Sequence, residues 1–230
     1  RWLQVMFLII IVVVALFLIL GPLCILGGPA ATPRTLSHFA YFFCLGAGFI
    51  IIEIALMQKF SLLFDTPGLA IALVLGSVIL FTGLGSLISQ RTFAKGFSLR
   101  QVALCVALYA VVLYFFLGAW THGMLSWPLL GRGFAVAALI APGALLMGHM
   151  FPQALAVAAK DDGKLVPWAW GINGAMSTIG AGAAPLAAMA WGYSALFLAG
   201  AAFYAVTMIL PTTRNTLTRS VLVPRLGTAA

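Results

Sequence analysis

The sequence predicts an all-α, polytopic transmembrane bundle of seven spans, on three observations: composition, the length of its apolar runs, and the placement of its basic residues. Of 230 residues, 63% are apolar and 7% charged, and the mean hydropathy is +1.15. A soluble domain carries roughly 25% charged residues and about half apolar ones. Here 12 Lys+Arg and 4 Asp+Glu are too few to cover a soluble fold of this size. The same numbers exclude a disordered chain, and three cysteines exclude a disulfide scaffold.

A helix needs about 20 mostly apolar residues to cross ~30 Å of hydrocarbon. Seven stretches meet this, and they are apolar all round rather than alternating, which favours helices over barrel strands. The first, Val5–Leu26, follows a single charge and has no small-residue cleavage site, so it reads as a span rather than a signal peptide. The chain opens on Arg1 rather than Met, which reads as a removed N-terminus or as one portion of a longer chain. The second, His38–Gln58, carries one acid, Glu53. The third, Leu69–Gln90, is punctuated by Gly76, Gly83, Gly85 and Ser86, and the fourth, Gln101–Trp120, has no internal charge. The fifth, Gly133–Ala159, contains Pro142, Pro152, His149 and Gln153; the sixth, Pro167–Trp191, contains Asn173, Ser177 and Pro185. The seventh, Ser194–Leu210, is divided from the sixth only by Gly192 and Tyr193. Residues 1–210 thus form the membrane domain, and the polar stretch 211–230 is its tail.

Strict alternation puts Arg34, Arg91, Lys95, Arg100, Lys160, Lys164, Arg214, Arg219 and Arg225 on one face of the membrane. Only Arg1, Lys59 and Arg132 fall on the other. Basic residues collect in cytoplasmic loops, so the N-terminus is expected outside and the C-terminus inside. Trp2, Trp120, Trp127, Trp168 and Trp191 fall close to the span ends, as an interfacial aromatic belt requires. The net charge of +8 is spread over short loops rather than gathered in one patch, which speaks against nucleic acid as a partner and leaves the bilayer as the expected one. Cys24, Cys44 and Cys105 lack paired spacing and read as small apolar residues.

Departures from plain hydrophobicity give the candidate sites. Glu53 is the only acid inside a span, and such a group turns to the bundle interior and finds a partner. It reads either as a proton or cation site or as a protonated packing residue. His149 and Asn173 lie at similar depth on spans joined by the short turn at residues 160–164, within reach of each other across that hairpin. Glu53 lies higher in the membrane. For His149 a hydrogen-bonded structural role outweighs a proton relay. Gln153 and Ser177 complete the candidate polar set. Gly174, Thr178 and Gly182 recur at i, i+4 and i+8, and Gly83 and Gly85 mark the third span; small residues at this spacing let helix backbones approach closely. Prolines inside spans kink helices, as at transporter binding sites, although many prolines in membrane helices serve packing alone.

The sequence has no HExxH, no GxSxG, no Walker loop, no dinucleotide fingerprint and no metal-spaced His/Cys cluster. It therefore implies no cofactor, no metal and no catalytic residue of its own.

Four segments in order carry a family resemblance: the run from Phe42 to Phe60 containing Gly46, Gly48, Glu53 and Gln58; Ser77 to Ser86; Met150-Phe-Pro152; and Trp170-Gly-Ile-Asn173-Gly174. Together they resemble bacterial spermidine synthase-like integral membrane proteins. Many members join membrane helices to a soluble transferase domain, and this sequence contains only the membrane portion. The resemblance implies a bacterial inner-membrane location and puts any transferase activity in a domain not present here; it assigns no role to a residue of this chain. Three functions stay open: handling or translocation of a small cationic solute such as a polyamine, an accessory subunit of a larger respiratory or photosynthetic complex, and a membrane anchor for a transferase.

Overall fold

A computed structural model of the chain describes residues 2–64, 66–94 and 96–210. The tail 211–230 and the basic residues Arg1, Lys95, Arg214, Arg219 and Arg225 used in the orientation argument lie outside the described residues. Among those described, every regular element is helical: α1 (Trp2–Ala15), a π-helical turn (Leu16–Leu20), α2 (Gly21–Leu26), α3 (Pro33–Phe60), a 3₁₀ turn (Ser61–Leu63), α4 (Pro67–Ala94), α5 (Leu99–Met124), α6 (Leu129–Asp161), α7 (Leu165–Trp191) and α8 (Ala195–Ile209).

Five stretches are long and apolar enough to cross a bilayer: Trp2–Ile25, Pro33–Leu63, Pro67–Phe93, Leu99–Met124 and Leu129–Asp161. The sixth and seventh expected spans fold as helices but fall outside this group. α7 is long, yet its apolar run is interrupted by the polar residues Asn173, Ser177 and Thr178. The apolar helix α8 has 15 residues, about 22 Å, short of ~30 Å of hydrocarbon.

Helix starts follow local chemistry. Thr32 accepts a hydrogen bond from the Thr35 amide at 3.1 Å and Pro33 fills the first turn, so α3 begins five residues before the expected span. Ser98 and Gln101 form a reciprocal capping box at the start of α5. The first span is not one regular helix. Pro22 has no amide to donate, and the π-helical turn falls immediately before the Gly21-Pro22 pair. Between α7 and α8, Gly192 takes φ +82°, a left-handed conformation open to glycine.

α3 is the central helix: 61% of its apolar window is buried, against 6% for the first span. It packs chiefly on α7 and α8, while α4 packs on α6 and α5 on α8 and α6. Lipid gives no hydrophobic drive for helix association, so contact must come from close van der Waals approach. Two seams achieve it. Between α4 and α6, a Cβ on Gly85 would lie 2.2 Å from the Leu145 carbonyl oxygen, and one on Gly148 2.1 Å from that of Thr82. Between α3 and α7, a Cβ on Gly46 would lie 2.4 Å from the Asn173 carbonyl oxygen. Only glycine fits at these crossings.

Candidate functional site

The α4–α6 seam carries a polar ladder. Gln153 Nε2 donates to Ser89 Oγ at 3.2 Å, and Ser89 Oγ donates to the Ser86 carbonyl at 2.7 Å. His149 Nδ1 lies 2.6 Å from the Leu145 carbonyl, which can only accept, so Nδ1 carries the proton. Nε2 then faces Thr92 Oγ1 at 3.1 Å. The histidine is buried with both ring nitrogens engaged. The His149–Asn173 contact expected across the hairpin is thereby corrected: α6 turns its polar face to α4, while α7 packs on α3. The 160–164 connection joins two helices that have different principal partners.

Asn173 instead lines a cavity of about 340 Å³ whose wall comes from five helices. α3 contributes Leu45 and Phe49; α4 contributes Ile79, Thr82, Gly83 and Ser86; α6 contributes Met147, Gly148, Phe151 and Pro152; α8 contributes Tyr204. The wall is mostly apolar with a few neutral polar groups. Pro152 has no N–H, so it leaves the Gly148 carbonyl without its helical donor. The buried Tyr204 hydroxyl on this wall has no hydrogen-bond partner among the described residues, whereas Asn173 is half-buried and Ser86 exposed. A membrane protein of this chemistry leaves a polar group unpaired in its interior only at a cost.

Glu53 sits on α3 one turn beyond Phe49 and outside the cavity wall. It is buried at 5% exposure, and its carboxyl oxygens are not among the buried polar atoms left without a partner. Ser177 bridges α7 to α3: its hydroxyl lies 2.9 Å from its own helix's Asn173 carbonyl and 3.3 Å from the Gly46 carbonyl. The five candidate polar residues therefore fall in three places. Asn173 is in the cavity, Ser177 is at the α3–α7 crossing beside it, His149 and Gln153 are in the α4–α6 seam, and Glu53 stands apart on α3.

The small-residue positions divide similarly. Gly85 is at a backbone crossing, and Gly182 meets Ile11 and Leu8 of α1, whereas Gly83 and Gly174 face open space. Thr178 is exposed and bonds back to the Gly174 carbonyl at 2.9 Å. Sequence reasoning missed Gly46 and Gly148 as crossing points, and missed Tyr204. The Gly148-x-x-x-Pro152 spacing was a readable signal for a freed carbonyl.

A second polar cluster joins α3 to the end of α6. Asp161 accepts from Arg34 Nε at 2.6 Å and Nη2 at 2.5 Å, and lies 2.8 Å from His38 Nε2. His38 is fully buried and its Nδ1 has no partner. The i, i+4 pair Arg34/His38 is visible in sequence, but its acid comes from 123 residues away.

No protein-family model, curated protein or solved structure matches this chain.

Proposed function

We propose that the chain is an integral membrane protein that takes up a small cationic solute of the amine class, polyamines among them, beside its intramembrane cavity. One observation carries this reading: Glu53 is an acid buried inside the bundle at 5% exposure, one helical turn from the cavity-lining Phe49. An ionisable group held inside a membrane bundle marks a solute or ion path by default. The freed Gly148 carbonyl and the Asn173 amide are the acceptors an ammonium group would use. Five apolar helices support membrane insertion, and seven crossings require α7 and α8 to cross as well. The proposed setting is a bacterial inner membrane with the N-terminus outside and the C-terminus in the cytosol, supported by the nine-to-three division of basic residues. The resemblance to spermidine synthase-like membrane proteins supports the amine as solute.

Binding of labelled spermidine to the purified chain in proteoliposomes tests the proposal. Glu53→Gln should abolish binding while the protein stays monodisperse, and binding unchanged by that substitution overturns it. One observation favours a second reading, the accessory subunit: the first span is 6% buried, so most of its surface is open to cover. Stoichiometric recovery with a large complex in mild detergent supports that role, and recovery of an isolated chain that binds spermidine supports the first.

A further inference from the structure

The cavity lies at mid-span, and its rim decides where it opens. Ile79 is 62% exposed, and Gly83 and Ser86 beside it are also exposed. They continue a surface made of Leu80, Leu84 and Leu87, all exposed large apolar residues. On a helix long and apolar enough to span, that surface meets hydrocarbon. From Ile79 to the start of α4, and from Ser86 to its end, the distance is about 12–18 Å at the α-helical rise. The rim is thus far from water on both sides.

The route along the bundle axis toward the Arg34 end is filled. The Phe42 and Phe151 rings meet at 5.5 Å, and Phe151 meets Trp170 at 4.5 Å. Beyond them Phe39 stacks on Trp168 at 5.5 Å, and then Asp161 ties α6 to Arg34 and His38. Two aromatic layers and an ion-pair cluster separate the cavity from that face.

We infer that the cavity is loaded sideways from the hydrocarbon phase, by an amphipathic molecule with one amine head and an apolar body. This rests on the amine reading of Glu53 and narrows it. The apolar wall, led by Leu45, Phe49 and Met147, suits a chain or ring rather than a hydrated ion. The Gly148 carbonyl and the Asn173 amide oxygen accept from the ammonium, and the orphaned Tyr204 hydroxyl gains a partner from a head group or the water it carries. Glu53 supplies one negative charge, which matches one ammonium.

The test places a nitroxide on Gly83→Cys in the full chain, with Cys24, Cys44 and Cys105 replaced by alanine. A Cβ at Gly83 meets no atom within 4 Å, so the label is sterically accommodated. In proteoliposomes, collisions with oxygen should be frequent and collisions with a water-soluble nickel chelate rare. Decylamine should reduce the oxygen collisions, with the effect lost in Glu53→Gln and absent for decanoic acid. Ser86→Cys, labelled in the same way, provides an independent position if the first variant fails to fold. Nickel chelate reaching the label as readily as oxygen overturns lateral loading. Protection by spermidine but not decylamine overturns the amphipath while leaving the amine reading standing. Protection by neither overturns both.

Discussion

The crossing of α4 on α6 makes the sharpest prediction. Gly85→Ala would bring a methyl carbon to 2.2 Å from the Leu145 carbonyl oxygen, where an ordinary C···O contact is about 3.3 Å or more. The obstacle is backbone, so no rotamer change relieves it, and α4 and α6 must separate by about 1 Å. That displacement stretches the Gln153–Ser89 bond from 3.2 Å and the Thr92–His149 bond from 3.1 Å beyond useful length. Overpacking of this kind costs about 1–3 kcal/mol, and each interhelical hydrogen bond adds roughly 0.6 kcal/mol. The total of about 2–4 kcal/mol lowers the folding equilibrium constant about 30-fold or more. Reversible unfolding in mixed micelles, titrated with a denaturing detergent and followed by tryptophan fluorescence, measures it. Gly83→Ala is the control on the same helix, since its Cβ meets nothing within 4 Å. It should be neutral or stabilise by up to ~1 kcal/mol through helix propensity. If Gly85→Ala unfolds no more readily than Gly83→Ala, backbone contact does not hold this seam.

Three further outcomes follow from particular groups. Arg132 donates to the carbonyls of Trp127, Leu63 and Leu125 at 2.8, 2.9 and 2.7 Å; Arg132→Ala should cost about 2 kcal/mol in the same titration, and Lys should not restore it because one ammonium cannot reproduce the fork. Tyr204→Phe removes a buried hydroxyl without a partner, so stability should hold or rise by about 1 kcal/mol; a clear loss would show that the hydroxyl is bonded in the membrane. Asp161→Asn should destabilise by on the order of 1–2 kcal/mol, a modest figure because Arg34 is 61% exposed. The exchange Arg34→Asp with Asp161→Arg should recover little, since His38 Nε2 then loses its carboxylate acceptor at position 161; full recovery would show that His38 contributes nothing.

The helices were legible in the sequence because apolar run length is a local property, but their starts were not: the caps at Thr32 and Ser98 begin α3 and α5 before the apolar runs do. Asn173 and Glu53 stood out because a polar side chain in an apolar run is visible without knowing its neighbours. Their relationship was not visible. Depth arithmetic put His149 opposite Asn173, but rotation about the helix axis decides which face meets which neighbour, and no local signal sets it. The same limit explains the small residues: Gly83 and Gly85 are equivalent in sequence, yet one faces open space and the other a carbonyl oxygen.

Composition alone determined that most of this chain is apolar helix with too few charges for water, because burial preference is a property of each side chain. Tertiary structure decided the rest: α3 at the centre, α6 paired with α4 rather than α7, and a cavity where Gly148, Asn173 and Tyr204 converge. Those facts depend on which helix faces meet. In lipid, that is settled by backbone approach and hydrogen bonds between distant segments rather than by hydrophobicity, which every helix here shares.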